Sequence, residues 1–516
     1  MRGWPLLVDR RPRSVPQARL QADLCPRPGL EKDECGWVPP TIVPQGQRLF
    51  RAWGGHYTLP DVSSNQRNLG PGFGLWTGVG LLVADTVGVG VLTNTGYMAG
   101  RLGPREILLA WLVGGVMAMA GARCYAALAE IIPRSGGEYR YLSDLMHPFL
   151  GTLAGWTSLL VGFSAPVALA AATAGPFFAT IVPGVPAVAV SVSLIVFATI
   201  SQGFDLGWSK RTQDVLALVK GILLIGFVAV GLIWGDNRPP TWHAVHPSEG
   251  FPLRPFAVSL VYIAFAFSGW NTVTYAAGEF RNPRKTVPRA MLIGTAAVAV
   301  GYLVVNWIFV ANLSGERLSA WLSEDTSRIT LAHLLIDRLA GARAAWLASL
   351  FVVLSLTSSV MSMTMIGPRV SSAMAREGFL PRFLAGRASR PPLGAVLLQS
   401  LLALVLLATH GFEQLLRSVG AILTLTSGLT VTALLALRFR QTAFPRPSSF
   451  VVACALAYVA GSSWILWYSL TDAPFTLVWI AFVTVAAAIA YALTVRSRRA
   501  VAETVQSSGP GASGGG

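Results

Sequence analysis

The residues with the most chemistry to offer stand in the middle of two apolar runs. Residues 83–96 read VADTVGVGVLTNTG, with Asp85 three positions ahead of Gly88 and a second glycine at Gly90. Residues 262–280 read YIAFAFSGWNTVTYAAGEF, with Ser268, Gly269 and Asn271 at the centre. Glycine lacks a side chain and has poor helix propensity, so each run is expected to break there if it is helical. A break bares amide N–H groups and a positive dipole end where the second half-helix starts. It bares carbonyls where the first half stops. The amides suit a carboxylate, and the carbonyls suit an ammonium group or another cation. A zwitterion would satisfy both. This is the chemistry of binding rather than of bond-making. The glycines would equally let a neighbouring helix pack closely. VGVGVL is no dinucleotide fingerprint, because a third glycine and a βαβ setting are missing.

The elements that must carry these residues are membrane helices. The chain has 516 residues, of which 53% are hydrophobic and 12% charged. A soluble protein would carry about 25% charged residues. The apolar residues come in blocks of roughly 20, long enough to cross a bilayer core as a helix. Twelve spans are expected, at 75–100, 106–132, 150–182, 185–201, 212–234, 256–280, 288–312, 344–366, 393–409, 413–437, 449–470 and 474–495. The chain is therefore read as an all-α polytopic membrane protein. Spans one and six, five apart, are both interrupted near mid-depth. That is the sequence footprint of two inverted five-helix repeats with a site where both helices unwind, followed by two additional helices. The expected organisation is an N-terminal arm at 1–72, repeats at 73–234 and 235–440, the last two spans at 441–496, and a flexible tail at 497–516. The Pro- and Arg-rich arm shows no helical period, and the first twenty residues lack the apolar core of a cleavable signal peptide.

Charge fixes the expected orientation. With the N-terminus inside, the inner loops and tail hold nineteen Lys and Arg residues, Arg134, Arg281 and Arg369 among them. The outer segments hold nine, including Arg101, Arg254 and Arg417. This bias places both termini in the cytoplasm of a multi-pass plasma (inner) membrane protein. The net charge of +16 is thus a membrane signal, and no nucleic-acid partner is expected. The four cysteines, Cys25, Cys35, Cys124 and Cys454, form no C-x-x-C pair, so no metal site is read. The six histidines are scattered. No catalytic constellation and no cofactor motif is present, which argues against an enzyme.

Four stretches together resemble the amino acid–polyamine–organocation superfamily, close to its L-type amino acid transporter branch. They are Gly88-Val89-Gly90-Val91-Leu92, CYAALAEIIPRSGGEYRYL at 124–142, FAFSGWNTVTYAAGEFRNPRKTVPRAM at 265–291, and RVSSAMAREGFLPRFL at 369–384 followed by PPLGAVLLQ. The resemblance implies a secondary carrier that moves amino acids by alternating access. It implies a substrate carboxylate at the backbone of Val89 and Gly90, within the Val87–Val91 break, and an amino group against carbonyls around Val87, Phe265 and Ser268. Phe265 stands where the family has an aromatic lid, and Trp270 with Asn271 matches a Gly-Trp-Asn run of the L-type branch. The chain departs from the pattern at Val89, where the family has serine, at Leu92, where it has an aromatic, and at Asp85.

Lys220 lies roughly 12 Å inside the fifth span at 1.5 Å per residue. A buried ionisable residue marks function by default, although a lysine can also snorkel to the headgroups. The resemblance matches Lys220 to a lysine that takes the place of sodium in sodium-coupled relatives, linking the first-helix break to the eighth helix near Ser358 and Ser359. Proton symport and exchange both stay open. Asp85 is expected to pair with a cationic substrate, to pair with Lys220, or to bond freed backbone. Arg123 and Glu130 are read as interfacial anchors or an inner gate pair. An amino-acid sensor with a carrier fold and a carrier of polyamines or other organic amines are the competing readings. The short loop between spans three and four has no cysteine, so no disulfide-linked accessory subunit is expected.

Overall fold

The computed structural model describes residues 72–204, 206–236, 238–239, 250–313, 322, 324–376, 380–386, 392–439 and 444–507. The N-terminal arm, apart from residue 72, and the tail beyond 507 lie outside them. The first half of the chain folds as α1 (Leu75–Thr86), α2 (Val89–Ala99), α3 (Pro104–Ile131), the short α4 (Glu138–Leu145), α5 (Pro148–Ile181), α6 (Ala187–Phe204) and α7 (Leu206–Trp234). The second half comprises α8 (Leu253–Ala266), α9 (Thr272–Tyr275), α10 (Pro283–Asn312), α11 (Asp325–Ile329), α12 (Leu331–Ala340), α13 (Ala342–Arg376), α14 (Leu393–Thr409) and α15 (Phe412–Phe439). Two helices follow, α16 (Ser449–Asp472) and α17 (Phe475–Ser507). Among the described residues, eight helical segments are long and apolar enough to cross a membrane, α1 and α2 counting as one, and four shorter apolar helices fall on the remaining expected spans. The chain is an all-α polytopic membrane protein.

Local sequence explains where the helices start. Pro104, Pro148 and Pro283 each occupy a first-turn position, where a missing N–H costs nothing. Glu106 adds a negative charge in the first turn of α3, and the His147 ring accepts from the Phe149 amide at 3.1 Å to cap α5. Asn282, left-handed at φ 51°, turns the chain into α10. The many threonines and serines of the spans turn inward on their own helices. Thr93, Thr173 and Thr364 each donate to the carbonyl four residues back, which satisfies a hydroxyl that would otherwise lie bare in an apolar interior.

Both interrupted spans break, and the second is more irregular than its sequence suggests. In the first, Val87 leaves helical geometry at ψ 106°, Gly88 is extended, and α2 resumes at Val89. In the sixth, helix stops at Ala266. A non-helical turn runs to Asn271, α9 makes one helical turn, and a 3₁₀ turn covers Ala277–Glu279. Serine, glycine and asparagine all favour local turns over helix continuation. A π-helical turn at Ser158–Ser164 inside α5 was not expected; such turns gather at functional sites. The start of the first span and the end of the sixth are stitched by a parallel bridge between Phe73 and Phe280.

Candidate functional site

The two breaks touch through their backbones. A Cβ on Gly90 would stand 2.5 Å from Cα and Cβ of Ala266, where α8 ends. A Cβ on Gly269 would stand 2.8 Å from the Thr86 amide nitrogen, where α1 ends. One phenol serves both ends: the Tyr302 hydroxyl, on α10, is 2.7 Å from the Thr86 carbonyl and 3.0 Å from the Ala266 carbonyl. It is buried and packed edge-on against Trp111. Its single proton is shared between two carbonyls that each lost a helical partner. The start of α2 has no side-chain cap, so its first amides remain as a free positive end.

The end of α1 is also met by a charge from the protein itself. Lys220, on α7, is 3% exposed and donates to the Ala84 carbonyl at 2.5 Å. An ammonium at a helix C-terminus is favourably placed against the dipole. Asp85 is next in sequence, and it accepts a hydrogen bond from the Thr272 hydroxyl at the start of α9. α1 is therefore tied to α7 through Ala84 and to the sixth span through Asp85. Ser359, on α13, faces Gly88 across the break. Lys220 has no hydrogen bond to Ser358 or Ser359 among those of the described residues.

Glu138 is the acid that sequence reasoning passed over. It opens α4, between two spans, and is 5% exposed. Its Oε1 accepts from the Tyr125 hydroxyl at 2.5 Å and from the Asn271 amide at 3.2 Å. Gly137 lets it enter. This residue has φ +55°, and a Cβ there would meet the Tyr275 ring at 2.7 Å. Burial pushes the Glu138 carboxyl up to about 7, while the Tyr125 and Asn271 bonds pull the other way. The SGGEY motif held the signal: two glycines leading a lone acid into a loop that must fold back.

Between these elements lies a cavity of about 90 Å³. Asp85, Glu138, Ser268, Gly269, Trp270, Asn271 and Thr272 line it, together with the π-turn residues Ser158, Gly162 and Phe163. Among the described residues, no lysine or arginine is in its lining. Val87, Gly88, Val89, Gly90, Val91 and Phe265 are outside the lining; Phe265 is 6% exposed. Trp270 packs on Tyr125 with ring centroids 4.8 Å apart. Arg123 and Glu130 pair at 3.9 Å with both side chains partly exposed, outside the lining.

Sequence comparison agrees with this architecture. The rat large neutral amino acids transporter small subunit 2 is 27% identical over 421 residues, covering 78% of this chain and 76% of the relative. The mouse Asc-type amino acid transporter 1 is 27% identical over 419 residues, with 77% of each chain covered. The human b(0,+)-type amino acid transporter 1 is 25% identical over 403 residues, covering 75% of this chain and 79% of the relative. The amino acid permease family model matches residues 73–502, from the first residues before α1 to the far end of α17. With a match of that extent over a bundle whose first and sixth spans both break, the chain belongs to the amino acid permease family.

Proposed function

We propose that this permease is a secondary carrier that moves amino acids across the membrane by alternating access. The observation that carries the reading is the backbone contact of two broken helices beside a cavity lined by Ser268, Gly269, Trp270 and Asn271. The substrate carboxylate meets the free amides at Val89 and Gly90. Its amino group meets carbonyls around Val87, Phe265 and Ser268, with Phe265 as the lid. Lys220 and Asp85 carry the coupling, because each ties α1 to a neighbouring span. Residues 73–234 and 235–440 form the two repeats. The protein sits in the plasma (inner) membrane with both termini cytoplasmic. No disulfide-linked accessory subunit belongs to this reading, since the turn at 182–186 offers no cysteine.

Counterflow in proteoliposomes tests the reading. Vesicles loaded with one unlabelled amino acid should take up labelled amino acid. Stimulation of net uptake into empty vesicles by an inward proton gradient selects symport; dependence on internal substrate selects exchange. Lys220→Ala should abolish the gradient response or stop turnover, and wild-type transport at every pH would remove Lys220 from coupling. No counterflow for any amino acid, from folded protein, would overturn the amino acid carrier in favour of a carrier of polyamines or other amines, or of a sensor.

One observation favours a second reading, a carrier of amines. Asp85 and Glu138 both line the cavity, and among the described residues no basic side chain in the lining balances them. A substrate bearing an extra ammonium group fits that field better than a neutral one. Competition of labelled uptake by cationic and by neutral amino acids of similar size, and by diamines, separates the two.

A further inference from the structure

At the opposite end of the bundle from the start of α1, one buried arginine joins three helices at the centre of a cluster that also draws in α2. Arg417, in the second turn of α15, is 8% exposed. Its Nε donates to the Tyr262 hydroxyl on α8 at 2.8 Å. Its Nη2 meets Glu413 at 2.6 Å, and its Nη1 meets Asp472, the last residue of α16, at 2.6 Å. The Tyr262 hydroxyl also donates to Glu413 at 2.8 Å. Asp472 is held by Arg254, at the start of α8, at 3.0 Å and by Arg101, just past α2, at 3.8 Å. The backbone joins in as well, since Asn94 on α2 donates to the Tyr262 carbonyl at 2.6 Å. Tyr97 on α2 stacks on Phe412 at the start of α15, with centroids 5.6 Å apart.

Three of the helices in this cluster, α8, α15 and α16, are walls of the cavity. Tyr262 lies between the lining residues Leu260 and Ala264, Arg417 is two turns before Thr424, and α16 contributes Ser462 and Ile465. An opening of the cavity toward this end between these walls parts α8, with α2 bonded to it, from α15 and α16. That movement breaks the Tyr262 hydrogen bonds to Arg417 and Glu413 and the Arg254 and Arg101 ion pairs with Asp472, while Arg417 keeps Glu413 and Asp472 on its own side. Arg417 thus holds Glu413 and Asp472 in position for bonds that must all be given up together, and charge-assisted bonds are costly to break, so the cluster biases the carrier toward the closed form at this end.

We propose that Arg417 is the bolt of this gate: a positioning residue that sets how often the cavity opens at the end of the bundle away from the start of α1. The proposal rests on the carrier reading. The test places one reporter cysteine at the cavity, Met363→Cys on α13, in a chain with Cys25, Cys35, Cys124 and Cys454 replaced. A membrane-impermeant maleimide is then applied separately to each face of oriented vesicles. Labelling needs no substrate, so the bolt and the transport reading can fail independently.

Arg417→Gln should raise labelling from the Arg417 face by about tenfold, a typical size for conformational coupling, and lower it from the other face. Arg417→Lys, which keeps charge but loses the fork, should fall between. Tyr262→Phe and Asp472→Asn each remove one partner and should raise the same signal by a smaller factor. They carry the test alone if the Arg417 variants do not fold. Unchanged labelling in folded variants would overturn the proposal, as would an equal rise from both faces, which marks general loosening.

Discussion

Single residues at the breaks replace the hydrogen bonds that the breaks give up. Tyr302 shares one proton between Thr86 and Ala266. Tyr302→Phe keeps the ring and leaves both carbonyls unpaired, so it should cost about 1–3 kcal/mol of stability. Thermal unfolding in detergent reads this, and an unchanged midpoint would show that the bond is dispensable. Glu138 offers a pH readout. Its carboxyl is raised to about 7 by burial, so the carboxylate dominates above that value and the neutral acid below. Tyr125 from α3, Tyr275 at the end of α9, Tyr458 from α16 and Asp85 from α1 face or interact with it. If Glu138 holds a cationic substrate, uptake should weaken as pH falls through about 7, and Glu138→Gln should flatten that profile near its low-pH level. Uptake measured against pH for both proteins decides it. A wild-type profile in Glu138→Gln would remove this acid from recognition.

At the scale of elements, the glycines of the first break do different work. Gly90 is a contact residue, for its Cβ would fall on Ala266. At Gly88 the nearest atom to an added Cβ is the Ser359 hydroxyl, at 3.3 Å, and a side chain tip can move aside. Gly90→Ala should push α2 off α8 and cost about 1–3 kcal/mol, the usual range for overpacking. Gly88→Ala should cost clearly less. Melting and counterflow of the pair test this, and equal losses would mean that both glycines matter only for chain flexibility. The two expectations for these glycines, ligand contact and close packing, are therefore separable by residue. The sequence showed that the helix must break. It did not show which glycine abuts which backbone, because that depends on α8 arriving from about 170 residues away in the chain.

Over the whole molecule, the fold is a set of apolar helices arranged by lipid outside and by small, hydroxyl-bearing or buried polar residues within. Large apolar side chains such as Val478, Phe482 and Ile489 on α17 are exposed among the described residues, as suits a helix surface turned to hydrocarbon. In the proposed topology an even number of spans puts the two termini on one side, and the Lys and Arg bias favours the cytoplasm for that side. Cysteines placed singly near each terminus should be labelled by impermeant reagent from the same face of the membrane, and only in inside-out vesicles. Labelling from opposite faces would require an odd number of crossings.

The sequence by itself determined the class, the number of apolar helices and the two positions where helices break. These follow from local composition: hydropathy over about 20 residues, and glycine, serine and asparagine where helix is weakest. It also marked Asp85 and Lys220 as charges that must find partners. Which partners they find was decided only by tertiary structure. Lys220 meets the Ala84 carbonyl, Asp85 meets Thr272, Tyr302 spans both breaks, and Arg417, counted by charge among the outer basic residues, proves to be buried where it joins three helices. A tyrosine in an apolar helix and an arginine near a helix end are unremarkable in a linear reading. Their roles arise from groups brought together from distant parts of the chain, and an interior without water makes each of those pairings costly to leave unmade.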